Sequence, residues 1–67
     1  MRLTSHCRQR MAERNITLPT LEAVIEHGEV EPAAEDGLYK HTLFTWSAIS
    51  AENGNVLTVW DKEEFER

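Results

Sequence analysis

The sequence predicts an α+β fold: two N-terminal helices packed on a small antiparallel sheet of about three strands, with a short C-terminal helical turn. Three observations carry this expectation. Helix-capping residues and an apolar period near 3.6 are confined to residues 4–28. Residues 38–60 are instead rich in Tyr, Thr, Phe, Trp, Ile and Val, side chains that suit a pleated surface. Within that stretch, Ala51-Glu52-Asn53-Gly54-Asn55 contains the Asn-Gly signal of a hairpin turn.

Thr4 or Ser5 can cap a first helix that runs to about Arg14, where Asn15 suits the left-handed C-terminal position. Leu3, Cys7 and Met11 fall along one side of it, with Arg14 projecting between Leu3 and Cys7 and with Arg10 and His6 at the edge of that side. Thr17 caps a second helix with Pro19 in its first turn, and Gly28 stops it after His27. Leu18, Leu21, Val24 and Ile25 form its apolar stripe, opposite Glu22 and Glu26. Glu29 to Pro32 reads as a brief edge strand and Ala33 to Gly37 as a loop. Leu38 to Ser50 reads as one long strand, with Val56 to Trp60 as its returning partner. Neither alternating face of the long strand is cleanly polar, so its core face stays open, and a bulge is one way to switch it. Asp61 with Glu64, flanked by Trp60 and Phe65, is the signal for the final helical turn.

Sixty-seven residues, 40% of them apolar, make one small domain spanning 1–67 and leave no material for a second core. A single cysteine excludes an intramolecular disulfide. Without Cys-x-x-Cys or closely spaced histidines, no metal or other cofactor is expected. The N-terminus lacks the apolar stretch of a signal peptide, and no run approaches the roughly 18 apolar residues of a membrane span, so a cytoplasmic protein without membrane contact is expected.

The formal charge of −5 is unevenly distributed. Residues 1–14 set Arg2, Arg8, Arg10 and Arg14 against Glu13, a net of +3; residues 15–67 set Lys40, Lys62 and Arg67 against eleven acids, a net of −8. His6, Arg10 and Arg14 follow at four-residue intervals and therefore stack along one helical face. Such a stripe can hold one or two phosphates but is too small for a long duplex.

The string Ser5-x-x-x-x-Arg10-Met11-x-x-Arg14-x-Ile16-Thr17, with His6 after the serine, then Glu26-His27-Gly28-Glu29 and Leu57-Thr58-Val59-Trp60, resembles a family of short, uncharacterised bacterial and phage proteins. Their usual opening is Thr or Ser, any residue, His, Ala, then Arg-Met and Arg-x-Ile. The resemblance covers nearly the whole chain and implies two helices on a small antiparallel sheet, similar to a reduced RelE/ParE toxin fold. Some relatives occur beside toxin–antitoxin genes. Cys7 stands where alanine is usual, and the C-terminal segment is acidic where ribosome-dependent nuclease toxins carry basic or aromatic groups. Only Tyr39, Lys40 and His41 offer comparable chemistry here.

The leading expectation is a RelE/ParE-like domain of a toxin–antitoxin or mobile-element context that binds or cleaves RNA. His6 and His41 are the candidate acid–base groups, and Arg10, Arg14 and Lys40 the phosphate-binding ones. If the chain is an enzyme, it is a metal-independent ribonuclease. The competing reading of the same arginines is structural: Arg14 and Arg10 pair with carboxylates or helix-end carbonyls, and His6 helps cap the helix. Cys7 reads as a core thiol rather than a partner of His6, because adjacent helical residues diverge by about 100°. Trp46 and Trp60 read as core rather than base-stacking platforms. The alternative function is a non-enzymatic acidic protein, of phage origin on one reading, that inhibits a host protein through Glu29, Glu31, Glu35 and Asp36; a third is a binding domain whose arginines only hold it together. The partners to test are thus RNA, an antitoxin or a host protein, and a second copy through an unprotected sheet edge.

Overall fold

In the computed structural model, which describes residues 2–62, strand β1 (Arg2–Leu3) leads into helices α1 (Ser5–Arg14) and α2 (Leu18–His27). Four strands follow: β2 (Glu29–Pro32), β3 (Leu38–Leu43), β4 (Trp46–Ala51) and β5 (Asn55–Asp61). They form one five-stranded sheet in the order β1-β5-β4-β3-β2, antiparallel except for the parallel pair β1 and β5. The α+β class agrees with the sequence, but the expected sheet of about three strands is wrong on two counts.

First, the long strand expected over Leu38 to Ser50 is two strands folded back on each other. Leu43 pairs with Trp46 across a two-residue turn at Phe44-Thr45, and Phe44 takes a positive φ of 55°. The first central residue of a tight hairpin needs such a conformation, and glycine or asparagine normally supplies it. Second, β1 is only two residues long and gains its place from the distant β5: the Arg2 N–H reaches the Gly54 carbonyl at 3.3 Å and the Thr4 N–H reaches that of Val56 at 3.2 Å.

Both helices begin where their caps stand. The Thr4 side chain accepts from the Cys7 N–H and that of Thr17 from the Thr20 N–H, and Asn15 closes α1 in the left-handed conformation, φ 56° and ψ 36°. Thr4 also donates its hydroxyl to the Leu57 carbonyl at 3.1 Å, tying the start of α1 to β5. That carbonyl is available because the β4–β5 register slips between Ile49 and Ser50, which pair with Thr58 and Val56 and pass over Leu57.

The slip also puts Val56 and Val59, three residues apart, on the same helix-facing side. There they join Cys7, Ile16, Leu21, Val24 and Ala48 in the buried core, with Leu3, Met11, Ile25, Leu43 and Trp46 packed around them. α1 lies along β5 and α2 along β3 and β4. Among the described residues, no helix lies over the other face of the sheet, which carries Lys40, Thr42, Ile49, Thr58 and Trp60. The final helical turn expected after Asp61 falls on residues outside the described ones; Asp61 itself ends β5. Among the described residues, no helix is long and apolar enough to cross a membrane.

Candidate functional site

The five residues singled out from the sequence fall in three places. His6 and Arg10 come together on the outer side of α1, as their spacing requires. The Arg10 Nε–H donates to His6 Nε2 at 3.4 Å. Arg10 also meets Glu13, Nη1 to Oε2 at 2.8 Å, and Gln9 Nε2 donates to the other carboxylate oxygen of Glu13 at 3.1 Å. The Gln9 hydrogen bond, then the hydrogen bond from Arg10 and the charges of Arg10 and Arg14, hold the exposed Glu13 carboxyl below its ordinary range. Arg10 therefore uses its Nε donor and one Nη1 donor locally and keeps the others at the surface. Arg14, half-buried in the last turn of α1, is also engaged by a neighbour. The pairing with Glu13 fits the structural reading for part of Arg10.

His41 lies elsewhere. It is on the helix-facing side of β3, 8% exposed, with Nε2 2.7 Å from Ser50 Oγ and with Nδ1 buried and unpartnered. Burial holds its imidazole below the ordinary pKa, so the neutral ring is favoured. α1 packs on β5, two strands away from β3, or about 10 Å at ordinary strand spacing. His6 and His41 consequently do not converge on one phosphate. Lys40 faces the opposite side of the sheet from His41, as neighbours in a strand must, and its Nζ stands 5.9 Å over the Trp60 ring. Trp60 accordingly belongs to the open face, whereas Trp46 packs against the core.

Two cationic groups escaped the sequence reading. Arg2 and Arg8, with Leu3, Leu18 and Glu22, line an open cleft of about 590 Å³ between the start of the chain and the two helices. Arg8 lies on the far flank of α1 from His6 and Arg10, and Arg2 reaches it only because β1 joins the sheet. The visible signal was the net positive charge of residues 1–14. The missing information was the pairing of β1 with β5, which runs between segments more than fifty residues apart.

Cys7 is fully buried, and burial pushes its thiol pKa up, which makes it a core side chain rather than a nucleophile. Among the described residues, no group of three or more His, Cys, Asp or Glu side chains could hold a metal ion. The site's chemistry is therefore that of a cationic ridge: α1 with His6 and Arg10 on one flank and Arg8, beside Arg2, on the other.

A family model described as a domain of unknown function, DUF4258, matches residues 3–65. The chain belongs to that family. The match takes in both helices, strands β2 to β5 and Leu3 of β1, so the DUF4258 domain is nearly the whole fold described above, with α1 at its head and Arg2 just outside the matched residues. No curated protein and no solved structure is significantly similar to the chain.

Proposed function

We propose that this DUF4258 domain is a RelE/ParE-like binding module of a toxin–antitoxin or mobile-element context, and that it holds single-stranded RNA by its phosphates along α1. One observation carries the reading: the accessible guanidinium groups of Arg2, Arg8 and Arg10 gather on β1 and α1 while the rest of an acidic chain carries a net of −8. Guanidinium forks suit phosphate oxygens, and three of them suit two or three phosphates of one strand. The separation of His6 from His41 favours binding over cleavage.

Affinity for a short, labelled single-stranded RNA, measured by fluorescence anisotropy across salt concentrations, tests this. Neutralising two or three phosphates gives a log–log slope of about −1.4 to −2.1, and Arg8→Gln or Arg10→Gln each makes it shallower by about 0.7. Because Glu13 competes for Arg10, Glu13→Gln strengthens binding. A denaturing gel shows the strand uncut. Salt-independent binding, a weakening by Glu13→Gln, or a cut strand each overturns the reading.

A further inference from the structure

The β2 edge of the sheet has a chemistry of its own, and backbone parity shows it. Leu43 and Trp46 flank a two-residue turn and so form a hydrogen-bonded pair; alternation then turns the backbone groups of Thr42 and Lys40 toward β2. The bond from the Ala33 N–H to the Leu38 carbonyl, 3.0 Å, fixes the same parity from the other end. On β2, therefore, Glu29 and Glu31 bond to β3, and the N–H and C=O of Val30 and the C=O of Pro32 point away from the sheet. Val30 is 57% exposed. Val59 on β5 also turns its backbone away from the neighbouring β4, yet it has no exposed surface because α1 lies against it. Among the described residues the β2 edge has no such cover: all four of its residues are exposed.

Alternation sorts the side chains as well. Glu29 and Glu31 stand on the open face, and Val30 stands between them on the helix-facing side. At the N-terminal end of the strand, a cleft of about 420 Å³ is lined by His27, Glu29, Thr42, Leu43 and Phe44. Phe44 is 82% exposed and adopts the positive φ that a bulky residue rarely tolerates. Among the described residues its ring partner is Trp46, edge to face at 6.3 Å. A large aromatic held at a strained position and left in water marks a contact surface more readily than a folding element.

We propose that β2 receives an extended cationic segment of a partner protein, which adds to the sheet as a sixth strand. The incoming strand places Lys or Arg beside Glu29 and Glu31 on the open face and an apolar side chain beside Val30 on the other. Its end brings a second apolar group to Phe44. Main-chain bonds to Val30 supply the affinity and the alternation supplies the specificity. Charge decides the occupant. A second copy pairing antiparallel about Val30 would set Glu29 directly against Glu31, like charges opposed on one face, whereas a cationic strand meets both. The proposal does not depend on RNA binding, whose residues lie on β1 and α1.

The test uses a blocked peptide of alternating Lys and Val, its Glu/Val counterpart, and the Lys/Val peptide with N-methyl groups along the edge that would bond to Val30. Binding is read from amide shifts and hydrogen exchange of the isotope-labelled protein. The Lys/Val peptide binds and protects the Val30 amide. The Glu/Val and N-methyl peptides bind at least about tenfold more weakly, as does Val30→Pro, which removes the outward N–H at an edge position that tolerates proline. The N-methyl comparison stands even if Val30→Pro fails to fold. Equal binding by the Glu/Val or N-methyl peptide, or shifts confined to α1 with Val30 unprotected, overturns the proposal.

Discussion

Replacing Gly28 by alanine tests how α2 is joined to the sheet. Gly28 has φ −72° and ψ 160°, a conformation open to any residue, so its backbone does not demand glycine. Space does. A Cβ at this position would stand 2.4 Å from the Val24 carbonyl oxygen and 2.8 Å from that of Thr42. The first oxygen accepts the Gly28 N–H at 3.0 Å, and by the strand parity the second accepts from Glu29, so neither can yield without loosening α2 from β3. Overpacking of this kind costs about 1–3 kcal/mol, and two backbone obstacles put it toward the upper end. The stiffer unfolded chain returns about 0.4–1 kcal/mol. The net loss is about 1–2.5 kcal/mol, which for a domain of this size lowers Tm by about 5–15 °C. Thermal melts followed by circular dichroism measure it. An unchanged or raised Tm would refute the argument, because the unfolded-state effect alone has the opposite sign.

Thr4→Ala removes both the cap to Cys7 and the bond to the Leu57 carbonyl, a loss of about 1.5–2.5 kcal/mol. Thr17→Ala removes an exposed cap bond of 3.4 Å and an exposed 2.9 Å bond to the Thr20 hydroxyl, both local to α2, and costs about 0.5–1 kcal/mol; urea titrations that rank the two equally would show that Thr4 does not tie α1 to β5. Burial of His41 lowers its folded pKa below the ordinary 6.5, so its contribution to stability is complete above pH 6.5 and is lost as pH falls through the folded value. His41→Gln removes that part of the pH dependence, and a wild-type profile in which acid strengthens the fold by way of His41 would contradict its burial as a neutral ring.

The elements legible in the sequence are those specified by neighbours along the chain. Thr4, Asn15, Thr17 and Gly28 bound the two helices where local capping chemistry puts them, and β2 needs only its charged edge and Pro32 to be seen. The hairpin at Phe44-Thr45 is illegible because Leu, Phe, Thr and Trp all favour extended structure, and the only sign of the turn is a positive φ. The same turn explains why neither face of the expected long strand looked polar. The helix-facing residues are Tyr39, His41 and Leu43 before it and Trp46, Ala48 and Ser50 after it, so their parity switches midway. β1 is illegible because two residues have no period and their partner lies at the other end of the chain. The site follows the same division. His6 and Arg10 meet as their four-residue spacing requires; Arg2 shares a cleft with Arg8, and His41 is withdrawn from both, through long-range pairing alone.

The two surfaces also constrain each other through charge. The acidic β2 strand lies three strand spacings from β5, or about 14 Å, and α1 rests on the β5 side. At about 0.15 M salt the Debye length is about 8 Å, so a phosphate on α1 meets Arg8 and Arg10 while the carboxylates of β2 are screened from it. At about 0.01 M the length is about 30 Å, matching the molecule's longest extent of 30 Å, and the net charge of −5 opposes the same phosphate. RNA affinity on α1 should then stop rising as salt is lowered, and its log–log plot should flatten instead of staying straight. Glu29→Gln with Glu31→Gln takes the net charge from −5 to −3 and brings the plot closer to a straight line without touching α1. A plot already straight in the wild type would mean that the acidic edge does not reach the bound strand, and that the cationic ridge governs RNA binding alone.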